Sequence, residues 1–291
     1  MKYKILFPCQ SYNLHVVDEA FRAEANCCDI LGIKYELFDH DTFVESGAFK
    51  STISIPDNEC DEIIYRGWML KPLEYQNFCG LLASKTNFNI FPINNKWEYS
   101  NCHCFPMVYD SIKQYTPRIQ ELTSWGDIYT IDIKFDFFIK DHVKSIKTAD
   151  GVEKLDKDIY MRFKDDLVYK IADFVKDRGK LFTGNIVLKE FVDLKRVEGK
   201  TNEWRVFYLK GEFLAYFQNS YLKTSEHPPF KLIGDVGKCL QYMSNFFTMD
   251  FALTENDDWI LIETGDGQVS GFPEGKELQF YNAIFNKLQI K

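Results

Sequence analysis

The sequence predicts a protein of mixed class: an open α/β sheet in its first third, followed by an α+β portion organised on antiparallel hairpins. Three observations carry this. Strand-like apolar runs alternate with helix-spaced segments between residues 4 and 92, the pattern of β-α-β crossovers. A hairpin signal follows at 201–217, where two aromatic-rich runs flank Lys210-Gly211. A second hairpin, 248–254 and 259–264, runs into the glycine-rich stretch Thr264-Gly265-Asp266-Gly267-Gln268.

Bulk properties set the bounds. With 291 residues, 45% hydrophobic and 16% aromatic, the chain can bury a large core and suits one composite enzyme or two domains. A formal charge of −8 argues against general affinity for nucleic acid or an acidic membrane, while leaving room for a local basic cleft. The eight cysteines show no repeated metal spacing, so reduced thiols are expected. Cys102-His103-Cys104 has the spelling of a zinc half-site, but no second cluster accompanies it. No signal sequence or spanning apolar stretch is read, which leads to the expectation of a soluble, cytoplasmic protein.

In chain order, Lys4 to Pro8 reads as the opening strand, followed by a polar loop and a helix over 17–25. A second strand covers 34–38, a third 61–69, and a fourth 88–92, with a helix opening at Lys71-Pro72. Ligands of open α/β sheets gather beyond the carboxyl ends of strands, and Arg66 falls there, suited to a bidentate grip on a substrate carboxylate or phosphate. The other reading of Arg66 is a salt bridge. No G-x-G-x-x-G follows the first strand, so no dinucleotide site is expected there.

Residues 93–124 read as mainly helical. The apolar run Phe137-Phe138-Ile139 then delivers Lys140 at a strand end, with Lys144, Ser145 and Lys147 in the loop beyond, offering cations to polyphosphate. A helical insertion over 151–180 spaces Ile159, Phe163, Leu167, Ile171 and Val175 as one buried stripe. Ile186 to Asp193 reads as a further strand. Glu203 and Arg205, two residues apart, share one face of the first hairpin. A helix is expected over 235–247 with Val236, Leu240 and Met243 as core, and an amphipathic closing helix carries Leu278, Tyr281, Ile284, Phe285 and Leu288.

The second hairpin concentrates the chemistry. If Thr254 pairs with Trp259 across a four-residue loop, Asp250 falls directly opposite Glu263. Two carboxylates at about 4 Å repel by roughly 4 kcal/mol at an effective dielectric of ~20, so something must compensate. A divalent metal such as Mg²⁺ takes such oxygens, usually one or two alongside phosphates and water. Asp266 follows on a turn that can bring a third oxygen round.

A strand Asp, a hairpin, and then apolar-apolar-Glu-x-x-Asp-Gly resembles the metal-binding end of the ATP-grasp superfamily, whose members grip Mg-ATP between two α+β subdomains. The spelling E-x-G-D-G-Q-V-x-G is more similar to a less characterised, often microbial or phage-encoded branch. The resemblance implies an α/β pre-ATP-grasp domain over 1–95, a central subdomain with a phosphate lid over 96–192, and a C-terminal subdomain with the metal site over 193–291. It implies Mg²⁺ on Asp250, Glu263 and Asp266, although better-known members carry Asn at the last position. It implies ATP phosphates on Lys140, a lid from Lys144, Ser145 and Lys147, and an adenine-reading hinge from Glu190, Phe191 and Val192 with Asp193 toward ribose. Arg205 faces phosphate or an acyl phosphate on this reading, and Arg205 and Lys144 are the candidate catalytic residues.

The implied activity is a ligase that joins a carboxylate to an amine, with ADP as product, on an amino acid, peptide or protein. Two alternatives use the same cleft: a phosphotransferase or nucleic-acid end-modifying enzyme, and a non-catalytic nucleotide-binding protein.

Overall fold

The structure, a computed structural model, describes residues 3–11, 13–54, 61–147, 151–219, 222 and 226–289. Ser220 and Tyr221, which follow the first hairpin, lie outside the described residues.

The N-terminal sheet is organised on β1 (Tyr3–Gln10), whose interior residues are almost all buried. It pairs in parallel with β3 (Tyr35–Phe38) and β4 (Glu62–Tyr65), and β4 pairs in parallel with β5 (Phe91–Pro92). Helices α1 (Arg22–Leu31), α2 (His40–Ser46) and α3 (Pro72–Lys85) make the connections. Two local expectations are corrected. The segment read as a polar loop contains β2 (Asn13–Val17), antiparallel to the end of β1. The first helix begins at Arg22 rather than 17, because Asp18 accepts a hydrogen bond from the Ala20 amide and caps a short 3₁₀ turn first.

The middle of the chain opens with α4 (Lys96–His103), started by an Asn95 and Glu98 capping box, and α5 (Tyr109–Ile112). It then departs from the helical expectation: β6 (Ile119–Leu122) is a strand, antiparallel to β8 (Ile186–Glu190), which also pairs with β7 (Phe137–Lys140). The short helix α6 (Asp127–Thr130) precedes β7. Helices α7 (Lys157–Arg162) and α8 (Lys164–Arg178) follow it, and Leu167, Ile171 and Phe174 of α8 join the core over this sheet. The single stripe expected there is broken. Ile159 and Phe163 are each 52% exposed, because the helix stops at Phe163 and restarts with a new phase.

The C-terminal sheet has the order β12-β11-β13-β14, reached through a small ribbon of β9 (Arg196–Val197) and β10 (Lys200–Thr201). β11 (Glu203–Leu209) and β12 (Glu212–Gln218) close on Lys210-Gly211, with φ of 52° and 76°, the paired positive values that a tight two-residue hairpin requires. Helix α9 (Phe230–Leu240) starts and ends earlier than expected. The chain has already turned by Met243, which is only half-buried, to enter β13 (Phe246–Leu253). β14 (Trp259–Asp266) lies beside it.

Helix α10 (Glu277–Gln289) locks the two ends of the chain together. Its Phe280, Tyr281 and Ile284 share one core with Phe7 and Ile64 of the N-terminal sheet and with Phe207, Phe217 and Phe246 of the C-terminal sheet. Leu278 stays 44% exposed. Cys102, Phe105, Val108 and Ile112 likewise pack into the core of the C-terminal sheet, with Val206, Met249 and Leu261. The first two thirds of the molecule are therefore joined to the third by burial as well as by chain. Among the described residues, no helix is long and apolar enough to cross a membrane.

Candidate active site

The site is assembled across three adjacent strands. Arg205 of β11 pairs with Asp250 of β13, and Asp250 pairs with Glu263 of β14, so the three side chains form one row on one face. The expected partners meet, but by a different route. Leu253 pairs with Trp259, making the loop one residue longer than expected, and a bulge at Ile262 restores the register before Glu263. Without that extra residue Asp250 would face Ile262, and Glu263 would point to the other side of the sheet.

The bulge also frees the Ile262 carbonyl, which accepts from the Lys189 ammonium.

The repulsion between the carboxylates is compensated by protein cations. Arg205 grips Asp250 with two hydrogen bonds of 2.8 and 2.7 Å, and donates a third to the Gly271 carbonyl at 2.8 Å. Lys140, 1% exposed, lies 3.0 Å from Glu263. Lys189, 2% exposed, sits 3.6 Å above the Phe105 ring, where Lys140 also lies at 5.0 Å. Burial draws the Lys189 pKa down from 10.5 to about 7, with Glu263 working against the fall and Lys140 adding to it. Sequence reasoning missed Lys189, although it follows Ile186-Val187-Leu188 just as Lys140 follows Phe137-Phe138-Ile139.

Lys144 is brought back to the row by the turn after β7. The buried Asp141 carboxylate accepts from the amides of Val143 and Lys144, both at 2.7 Å, and from Arg178 at 2.9 Å. Ser145 bridges to Lys140, whereas Lys147 is exposed. Desolvation lowers the Lys144 pKa, with Glu263 opposing and Arg205 assisting. The result is four cations, Lys140, Lys144, Lys189 and Arg205, around two carboxylates.

A cavity of about 600 Å³ opens over this row, lined by Lys144, Arg205, Asp250, Glu263 and His103, and also by Phe21, Trp68 and Phe272 with Glu24, Glu274 and Glu277. Arg66 borders it, but its donors are directed elsewhere. Its guanidinium makes two 3.0 Å bonds to Glu24 and donates to the carbonyls of Gly267, Gln268 and Ser270. The expected substrate grip is thus replaced by a buried staple between the N-terminal sheet and the glycine-rich turn.

Asp266 is not brought to the carboxylate pair. Three residues after Glu263 on a regular strand, it points to the opposite face. There it is fully buried, accepting from the Asn94 side chain and from the Gln268 amide at 2.9 Å. Burial raises its pKa from 3.8 to about 7 against those hydrogen bonds. Among the described residues, no group of three or more His, Cys, Asp or Glu is placed to hold a metal. The donor set is two hard carboxylates, which fits Mg²⁺ only when substrate phosphates complete the coordination.

The residues expected to form the hinge lie outside the cavity lining. Glu190 is held by Arg118 through a 2.6 Å ion pair and by the Arg118 amide at 2.9 Å. The Phe191 amide donates to the Asp136 carbonyl at 2.7 Å, and the Asp193 carbonyl accepts from Glu255 at 3.1 Å. Val192 is half-buried in the same segment. Glu203, on the face of Arg205 as expected, accepts from the Thr201 hydroxyl at 2.6 Å.

Two α+β units meeting over a cleft, behind an open α/β sheet, have the ATP-grasp architecture. Residues 113–288, more than half of the chain, match the family described as ATP-grasp domain, R2K clade family 3, and the chain belongs to that family.

No curated protein sequence matches the chain. Among solved structures, it is similar to the ATP-grasp ligase PsnB complexed with a minimal precursor (TM-score 0.60, 9% identity, covering 99% of this chain and 100% of that one). It is also similar to the macrocyclase MdnC bound with precursor peptide MdnA from Microcystis aeruginosa MRC (TM-score 0.59, 13% identity, 98% and 100% covered). A third is D-alanine–D-alanine ligase from Bacillus anthracis complexed with ATP (TM-score 0.52, 13% identity, 98% and 96% covered). At these identities the likeness is one of fold.

Proposed function

We propose that this protein is a Mg-ATP-dependent ligase that joins a carboxylate to an amine through an acyl phosphate, on an amino acid, a peptide or a protein end. The observation that carries the reading is the local charge surplus of the row: four cations, Lys140, Lys144, Lys189 and Arg205, surround two carboxylates, Asp250 and Glu263, while Glu24 of the cavity lining is paired with Arg66. Such a surplus is matched by a polyphosphate, and preorganised cations in a water-poor cleft are what phosphoryl transfer requires.

On this reading a substrate carboxylate oxygen attacks the γ-phosphorus and the bond to the bridging oxygen breaks, releasing ADP. The amine nitrogen then attacks the acyl carbon, phosphate leaves, and the nitrogen loses its proton. Lys140, Lys144, Lys189 and Arg205 hold phosphate oxygens, with Ser145 and Lys147 in the lid above them. Glu190, Phe191, Val192 and Asp193 form the nucleoside hinge. Mg²⁺, on Asp250 and Glu263 together with phosphate oxygens, would add positive charge where the transferred group develops negative charge. Asp266 is outside this set, and Arg66 acts by positioning the glycine-rich turn.

The amine binds on the part of the cavity lining made by Phe21, Trp68, Phe272, Glu274 and Glu277. Aromatic faces next to acids suit an ammonium group. The solved relatives PsnB and MdnC were captured with precursor peptides, which favours a peptide over a free amino acid.

The test is ADP release from Mg-ATP with pooled amino acids and peptides plus hydroxylamine, comparing wild type with Glu263→Gln. ADP together with a hydroxamate, both lost in the variant, supports the ligase. ADP without hydroxamate turns the assignment to a phosphotransferase, and tight binding without turnover turns it to a binding protein.

A further inference from the structure

We propose that His103 is a catalytic residue: its neutral imidazole donates a hydrogen bond to a terminal phosphoryl oxygen of the nucleotide in the cleft. The inference rests on the ligase reading above and assigns a role that neither the motif nor the charged row contains.

His103 is the last residue of α4, which packs along β14 and is fastened there by a 3.0 Å bond from the Thr264 hydroxyl to the Cys102 carbonyl. The ring is 95% buried, yet it lines the cavity beside Lys144. It rests on Tyr99 at a centroid distance of 4.7 Å, and Tyr99 is itself stacked on Tyr75 at 3.8 Å. The Tyr99 hydroxyl donates to the Leu70 carbonyl at 2.6 Å and accepts from the Leu70 amide at 3.2 Å. The imidazole is therefore mounted on a fixed aromatic column.

What it lacks is a partner. Among the described residues no protein group holds either ring nitrogen of His103, and neither is among the sealed, unsatisfied atoms, so the ring opens on the cavity rather than being orphaned in the core. His142 and His227 each have a ring-nitrogen partner, and His40 bonds through Nδ1 while its Nε2 is buried without one. An imidazole fixed by its neighbours, without a protein partner and open to a cavity, is available to a ligand bound there. The ring is also kept uncharged: burial, with Lys144 and Lys140 assisting, lowers its pKa to about 3. A neutral imidazole keeps one N–H donor. Beside Lys144 and the cationic row, that N–H is matched to a phosphoryl oxygen of the nucleotide that the ligase reading places there. A proton acceptor so reluctant to charge is poorly suited to serve as a general base.

The experiment uses long-range ¹⁵N–¹H correlation of the imidazoles in the full chain, which has five histidines, with His103→Gln assigning the signal. Calorimetry on the same samples reports nucleotide binding. The inference expects the His103 resonances to move with Mg-AMPPNP, which carries a terminal phosphate, and to stay in place with Mg-ADP. Resonances unmoved by bound Mg-AMPPNP, or moved equally by both nucleotides, overturn it while leaving the ligase reading intact. Failure of the wild type to bind either nucleotide overturns both.

In turnover, His103→Phe is expected to lower kcat for ADP release by about a hundredfold while KM for ATP changes little, and His103→Gln, which keeps a donor, recovers part of the loss. Equal activity of the Phe variant and wild type contradicts the role.

Discussion

Replacing Lys189 by Met separates what the cleft costs in stability from what it provides in function. The Lys189 ammonium is buried against Phe105, and its pKa falls from 10.5 to about 7. At about 1.4 kcal/mol for each tenfold change, charging this group in the folded protein costs on the order of 5 kcal/mol. The sign follows from proton counts. Between about pH 7 and 10.5 the unfolded chain holds a proton on this lysine that the native protein does not, so stability rises with pH across that window. Below about pH 7 both states are protonated and the full cost is felt.

Met fills much of the same volume over Phe105 and cannot titrate, but it leaves the Ile262 carbonyl without its donor, at roughly 1–3 kcal/mol. The variant is therefore expected to exceed wild type by roughly 2–4 kcal/mol at pH 6, and to fall below it by up to roughly 2 kcal/mol at pH 10, where part of the wild-type cost remains. Urea denaturation at pH 6, 8 and 10 reads this crossing, and calorimetry at pH 7.5 should show nucleotide affinity reduced by about tenfold or more, about 1.4 kcal/mol. Parallel stability curves for the two proteins, with no crossing, would refute the reasoning.

Three further outcomes are expected. Asp266→Asn should leave Mg-nucleotide affinity within about threefold of wild type, while Glu263→Gln weakens it at least about tenfold, because only Glu263 shares the face of Asp250. Because the Asp266 pKa is raised to about 7, its contribution to wild-type stability is present at low pH and lost as pH rises from about 4 through 7; denaturation of Asp266→Asn should lack that slope. Gly267→Ala places a Cβ 2.5 Å from the Phe246 ring, which a packed core cannot absorb, so thermal unfolding should show a loss of about 1–3 kcal/mol. Magnesium titrated without nucleotide should bind only weakly by calorimetry, and tightly once ADP is present, since the protein offers two carboxylates already engaged by Arg205 and Lys140.

Much of the frame was legible because its central strands are contiguous apolar runs, as in Ile5-Leu6-Phe7 and Ile63-Ile64-Tyr65. β6 was not, since Ile119-Gln120-Glu121-Leu122 has apolar residues only at its ends, and its identity depends on pairing with β8 across more than sixty residues. The Asp250 and Glu263 pair was legible from strand parity, but the bulge that secures it has no glycine or proline to announce it. Lys140 could be read from its place after an apolar run, and the same signal was present and overlooked at Lys189. Arg66 was located correctly at a strand end. Its engagement with Glu24, 42 residues away, and with three carbonyls about two hundred residues away is encoded by no local pattern. His103 was noticed only as part of a cysteine spelling, and its setting against Tyr99 and the cavity is a product of tertiary packing.

The central claim, that the cleft moves a phosphoryl group from ATP onto a carboxylate, is tested most directly by isotope transfer. A pool of amino acids and peptides labelled with oxygen-18 in their carboxyl groups is turned over with Mg-ATP, and the released phosphate is read by phosphorus NMR. Phosphate carrying an oxygen-18 atom from the acid is the predicted result. ATP consumption that yields only unlabelled phosphate would contradict the account, because the attacking oxygen would then have come from water.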